Sequence, residues 1–365
     1  MVAGLRVLAL VAPSASSLAR ARRRVGPAPF RVLFATVAGV LGRPSSPGVF
    51  WRGMRTVAID ATTMHVPNSW QVLGAYARRA GETLVFGYPL LRLSVLVECG
   101  TRAVIGAVFG PEADGETTQA AGVRAGMLVL ADANYDSWRL LADIAATKAA
   151  FLCRSGARRT PLILRRLPDG SYLSVLGYGR LKVRIVEAWV TVTWADGTTT
   201  REQWRLVTSL LDHRRYPAGE LVTVYHRRWQ VETTYFSIKE SILDGRVLRS
   251  QDPAGLEQEV YALLTVYQTI VRMAVDAVDT VPDARPDRVS FTAALETAGE
   301  QVIAAVGKII SVGDGLVGAI GQAVLDDLLP DPRNRGKART RKNPTSKYGP
   351  NACGVRKADT RFDQE

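Results

Sequence analysis

VYHRRWQVETTYFSIKESIL, residues 224–243, spaces Tyr225, Arg228, Glu232 and Lys239 as Y-x2-R-x3-E-x6-K. The pattern predicts a helix. At about 100° per residue the offsets of 3, 7 and 14 from Tyr225 fall near −60°, −20° and −40°, so a ring, two cations and a carboxylate share one face. An isolated surface helix gains only about 0.2–0.5 kcal/mol from each such charge pair. A lone Glu beside Arg and Lys is ordinarily a solvated cluster, so the pattern acquires meaning only through residues elsewhere.

Two acidic residues upstream supply that context. Thr56-Val57-Ala58-Ile59 reads as a short buried strand ending in Asp60, and Met127 to Ala131 reads as another ending in Asp132. Either Asp alone also reads as a turn or helix N-cap, and Asp132 precedes a helical-looking Ser137 to Thr147. Functional side chains collect beyond strand ends in open sheets. With Glu232, the two aspartates give three hard oxygen donors suited to Mg²⁺ or Mn²⁺.

Asp60, Asp132 and the signature from Tyr225 to Lys239 resemble a DDE transposase of the insertion-sequence-four (IS-four) group, over roughly residues 50–275. The flanking TSLLDHRRYPAGELVTVYHRRW and VLRSQDPAGLEQEVYALLTVYQTIVRMA share the likeness. The resemblance implies an α/β ribonuclease H-like mixed sheet flanked by helices, with a β-rich insertion before the catalytic helix. It implies two Mg²⁺ (or Mn²⁺) ions held by Asp60, Asp132 and Glu232, with Asp60 shared by both. These ions would serve in-line cleavage and strand transfer by a cut-and-paste route. Arg228 and Lys239 would clamp phosphates, Tyr225 would support the distorted backbone, and Trp204 and Trp229 would stack on a flipped base. For Trp204, pocket and core readings both stand; Trp189 and Trp194 read as core.

The implied partners are double-stranded DNA, as transposon ends and target, and a second copy in a synaptic homodimer, with no membrane. Ala61-Thr62 and Ala133-Asn134 follow the aspartates where the family commonly has Gly-Thr and Arg-Gly or Arg-Asn. The 59 residues before Asp60 are fewer than is usual in the family, which implies a copy truncated at the amino terminus. Two alternatives stay open, a divalent-metal nuclease on the same core and a non-catalytic DNA-binding remnant.

The expected organisation starts with 1–50 as a remnant helical DNA-binding region. Residues 51–155 are expected to form the first part of the core, 156–218 the β-rich insertion and 219–280 the catalytic helix with the rest of the core. Residues 281–330 are expected as carboxy-terminal helices and 331–365 as a basic, disordered tail. Strand-and-turn signals between Leu162 and Leu211, including Pro168-Asp169-Gly170 and Asp196-Gly197, carry the insertion. Leu91 to Cys99 and Ala103 to Phe109 read as a hairpin, followed by a short helix from Glu116 to Arg124. Arg20, Arg22, Arg23 and Arg24 form a basic cluster, either a solvated helix end or a phosphate contact.

Composition agrees. Lys and Arg number 47 against 34 acidic residues, net +13 with pI near 10.0, as expected for a chain that neutralises phosphates. Three scattered cysteines and three histidines exclude a zinc cluster or a disulfide framework and favour a reducing cytoplasm, and the resemblance implies a bacterial one with association to the nucleoid. The start, MVAGLRVLALVAPSAS, is interrupted by Arg6 and reads against secretion. No apolar run reaches the roughly 18 residues of a membrane helix.

Overall fold

The computed structural model describes residues 14–78, 87–111, 122–156, 159–194, 198–282, 284–304, 316–330 and 358–363. In chain order these form α1 (Ala15–Val25), α2 (Ala28–Val37), β1 (Phe50–Trp51), β2 (Met54–His65), α3 (Trp70–Ala75), β3 (Leu90–Glu98), β4 (Val104–Pro111) and β5 (Met127–Ala131). Then come α4 (Trp138–Ala146), β6 (Ala150–Arg154), β7 (Arg165–Arg166), β8 (Tyr172–Leu176), β9 (Leu181–Trp194), β10 (Thr199–Thr208), α5 (Ala218–Tyr225) and α6 (Gln230–Phe236). The last are α7 (Pro253–Val278), α8 (Phe291–Ala304), α9 (Leu316–Asp326) and β11 (Ala358–Asp363). The chain divides into two compact units, one of residues 1–130, 146–149 and 227–329, the other of residues 131–145, 150–226 and 330–365.

In the first unit the strands lie in the order β4-β3-β2-β5, with β1 on β2. The β2-β3-β4 run is antiparallel, and Asp60 stands opposite Val95. Val57, Ala58, Ile59 and all of β5 are buried, which accounts for their continuous apolar runs. Helix α7 starts at Pro253 under an Asp252 cap. It buries Leu256, Val260, Leu264, Tyr267, Val271, Ala274 and Val278, a row with the helical period. Its polar members fasten the β3–β4 hairpin: Gln268 Oε1 accepts from Val104 N at 2.8 Å, and the Tyr267 hydroxyl donates to Arg102 O at 2.8 Å.

Strand β2 corrects one expectation. It does not end at Asp60 but continues to His65, because Thr62, Thr63 and Met64 stay paired with Leu93, Arg92 and Leu91. The β-branched threonines suit that extension. Asp60 is therefore an interior strand residue. Asp132 does follow its strand directly.

The second unit holds antiparallel strands in the order β6-β10-β9-β8-β7, with β11 on β9. The stretch from β7 to β10 is the β-rich insertion, and it ends ahead of α5. The chain is thus of the mixed α/β class expected from the sequence, with sheet strands and flanking helices and with the β-rich stretch ahead of α5. Residues 358–363 of the expected disordered tail pair with β9; the remainder of that tail beyond residue 330, like the first 13 residues, the Asp196-Gly197 turn and most of the expected helix from Glu116, lies outside the described residues. No helix among the described residues is long and apolar enough to cross a membrane.

Each unit encloses a charge network. In the first, Glu98 is 0% exposed; it pairs with Arg55 and accepts from Leu41 N at 3.0 Å, Gly42 N at 2.8 Å and the Thr101 hydroxyl at 2.5 Å. Glu98→Ala leaves Arg55 without this counter-charge and is expected to cost about 3–5 kcal/mol in urea denaturation. In the second, Arg184, 0% exposed, pairs with Asp169 and donates to Ser171 Oγ at 2.7 Å and Tyr216 O at 2.6 Å. Burial alone would raise the Asp169 carboxyl, but the Ser171 hydroxyl, the Arg184 guanidinium and the Ser171 and Ala218 amides hold it below its ordinary value. A depressed carboxyl stabilises the fold above its unfolded pKa and loses that contribution as pH falls through the folded value. The stability gap between wild type and Asp169→Asn is therefore expected to be flat above pH ~5 and to close below pH ~4, as read by denaturation at stepped pH.

Candidate active site

The signature is not one uniform helix. The chain leaves α5 at Tyr225, makes a 3₁₀ turn over His226–Trp229, resumes as α6, and widens into a π turn over Ser237–Ile242 that Leu243 N closes onto Ile238 O at 3.2 Å. This corrects the single stripe expected at 100° per residue, because 3₁₀ and π turns wind tighter and looser than the α-helix. The division between the units falls between His226 and Arg227, so Tyr225 belongs to the second unit and Arg228, Glu232 and Lys239 to the first.

Within the first unit, one guanidinium joins the two acidic residues. Arg228 Nη1 lies 3.5 Å from Asp60 Oδ2, and Arg228 Nη2 donates to Glu232 Oε1 at 3.0 Å, four residues ahead on the helix. The Asp60 and Arg228 side chains are only 16% and 14% exposed, whereas Glu232 is at 36%. Asp60 Oδ1 also accepts from Ala61 N at 2.8 Å. Lys239 Nζ donates to Thr63 O at 3.1 Å and Thr62 Oγ1 at 3.4 Å, three and two residues beyond Asp60 respectively. Trp229 lies half-buried at the end of the 3₁₀ turn.

Within the second unit, Asp132 caps a 3₁₀ turn over Ala133–Tyr135, its Oδ1 accepting from Asn134 N at 2.8 Å and its Oδ2 from Asn134 Nδ2 at 3.2 Å. Tyr225 is 4% exposed and donates to Ala131 O at 3.1 Å. Trp204, half-buried on β10, stands edge-on to the Tyr225 ring at 5.4 Å, with Arg154 over its face at 5.3 Å. Among the described residues no group of three His, Cys, Asp or Glu side chains is placed to hold a metal ion. Burial pushes the Cys99 thiol up to about 12, so it is no nucleophile at neutral pH.

Sequence reasoning passed over Tyr235, whose hydroxyl donates to Asp60 O at 2.6 Å. Its signal was its place three residues after Glu232, on the same helical face. It also passed over Gln230, whose Oε1 accepts from Gly100 N at 2.6 Å and fastens α6 to the β3–β4 hairpin.

Residues 51–268 match a family model described as "Transposase DDE domain". Over 297 residues the chain is 27% identical to "Transposase InsG for insertion sequence element IS4" of Escherichia coli (strain K12), covering 77% of this chain and 65% of that one. A second relative from the same strain, "Putative transposase InsZ", is 30% identical over 106 residues, 29% of this chain and 36% of its own length. The chain thus spans less than two thirds of either relative. A solved structure described as a piggyBac transposase synaptic complex with hairpin DNA aligns at TM-score 0.42 and 10% identity, over 80% of this chain and 60% of that one.

The shared guanidinium makes a direct test. Arg228→Met deprives a mostly buried carboxylate of its counter-charge and is expected to destabilise by about 1–3 kcal/mol. A double-mutant cycle with Asp60→Asn is expected to show coupling of about 1 kcal/mol or more in chemical denaturation; additive losses would mean that the ion pair contributes nothing.

Proposed function

The chain belongs to the transposase DDE-domain family, and from that premise we propose that it cuts and rejoins DNA at the ends of an insertion sequence by a cut-and-paste route. The observation that carries this reading is the meeting of Asp60 and Glu232 on Arg228. The family typically works with divalent ions, and Asp60 and Glu232, both held against Arg228, are hard oxygen donors of the kind such ions take. Asp60 and Glu232, with Asp132, would hold Mg²⁺ or Mn²⁺. When bound, such ions acidify a water or 3′-hydroxyl nucleophile and stabilise the leaving oxygen.

The chain's own residues do the rest. Asp60 and Glu232 hold the scissile phosphate's surroundings to one geometry because strand and helix fix both carboxylates. Lys239, anchored beside Asp60 on Thr62 and Thr63, and Arg228 supply the cations that position phosphates of the transferred strand. Trp229 and Trp204 offer ring faces and edges for a base taken out of the stack. The net charge of +13 draws both the transposon end and the target duplex. A homodimer holding two ends completes the reading, in a bacterial, nucleoid-associated setting.

A second reading, a DNA-binding protein without catalysis, is favoured by Arg228, which already engages both Asp60 and Glu232. The two separate in one experiment. Incubated with Mn²⁺ and a duplex carrying the inverted repeats that flank its gene, the wild type is expected to release 3′-hydroxyl ends and join them to target DNA. Asp60→Asn and Glu232→Gln are each expected to lower that rate by about a thousandfold while still binding the duplex. Wild-type binding without any cleavage would establish the second reading.

A further inference from the structure

The signature segment carries two tyrosines ten residues apart, and each points its hydroxyl at the main chain beside one candidate aspartate. Tyr225, 4% exposed, donates to the carbonyl of Ala131, the last residue of β5 and the one directly before Asp132. Tyr235, 6% exposed, donates to the carbonyl of Asp60 itself at 2.6 Å, with Leu93 O on the neighbouring strand as a longer second acceptor at 3.2 Å. The first bond lies wholly within the second unit, the other wholly within the first.

We propose that Tyr225 and Tyr235 are positioning residues that set where the carboxylates of Asp132 and Asp60 stand; this rests on the reading of those aspartates as metal ligands. A phenol is a rigid spacer with two torsions, so a buried ring whose hydroxyl is fixed on a carbonyl holds that carbonyl at a set distance from the signature backbone. Moving the carbonyl moves the attached peptide and, with it, the carboxylate. Ligand geometry tolerates only about half an ångström of such movement. Tyr235 lies one turn after Glu232, so its bond also fixes the strand–helix spacing between Glu232 and Asp60. Tyr225 therefore acts through Ala131, from inside the second unit, and not by touching DNA.

Phenylalanine keeps either ring and removes only the hydroxyl bond. The full chain is titrated with Mn²⁺ by calorimetry as wild type, Tyr225→Phe, Tyr235→Phe and the double variant, with Asp60→Asn as the control. Metal-free binding to a duplex is followed by fluorescence anisotropy, and melting is followed alongside. Each Phe variant is expected to bind Mn²⁺ about tenfold or more weakly, as loss of an outer-shell partner does, with metal-free duplex affinity unchanged. If Tyr225→Phe does not fold, Tyr235→Phe decides the matter alone. Mn²⁺ affinity kept by the Phe variants overturns the proposal by itself, and so does a metal-free loss of duplex affinity in Tyr225→Phe. A wild type that takes up no Mn²⁺ overturns the ligand reading, and this proposal with it.

Discussion

Arg228 stands between Asp60 and Glu232, and the geometry of the candidate site depends on it. Two carboxylates drawn toward one point repel each other by a few kcal/mol at an effective dielectric near 20, and a guanidinium between them offsets that repulsion with two attractions, each on the order of 4 kcal/mol before desolvation. The planar fork of an arginine is suited to the task, because separate nitrogens reach the strand carboxylate at 3.5 Å and the helix carboxylate at 3.0 Å. A lysine could supply the charge but not the two directions.

That arrangement needs a strand and a helix held in fixed register, and the first unit provides this at several points along α6 and the π turn. Gln230 reaches Gly100 N, Thr234 meets the buried Tyr267 hydroxyl at 3.1 Å, Tyr235 bonds Asp60 O, and Lys239 bonds Thr63 O. Tyr267 also holds Arg102 O, so α7, α6 and the β3–β4 turn meet at a single side chain. Glu98 gathers the Leu41 and Gly42 amides, Thr101 and Arg55 around the same turn. The signature helix rests on a braced hairpin, and the bracing groups are buried polar atoms with defined partners, which favour one geometry over near alternatives.

Much of this was legible in the chain, in ways that follow its physics. The Leu91–Cys99 and Ala103–Phe109 runs, the strand before Asp132 and the turn at Asp169-Gly170 carry local signals, and they appear as β3, β4, β5 and the β7–β8 turn. Arg228 and Glu232 meet because an i,i+4 relation survives the change from 3₁₀ to α. Three features were hidden. The length of β2 is set by pairing with β3, which no local window contains. The burial of Tyr225 depends on what packs over it, and a periodicity that places it beside Arg228 cannot tell a wet face from a dry one. The Glu98–Arg55 pair lies 43 residues apart in sequence and reads locally as two unremarkable surface charges.

Arg228 has one more consequence. Many metal sites leave like charges uncompensated until the ion arrives, and then metal binding and folding become one event. Here Asp60 and Glu232 share the protein's own cation, which offsets part of their repulsion, and Asp60 Oδ1 also accepts from Ala61 N. Folding of the first unit is therefore separable from any later ligand, and an arriving divalent ion must compete with a guanidinium rather than enter a strained cluster of like charges. Competition of that kind weakens affinity but keeps the carboxylates aligned. In the function proposed above, the residue that holds the acidic pair in register is thus also one of the two cations assigned to the phosphates.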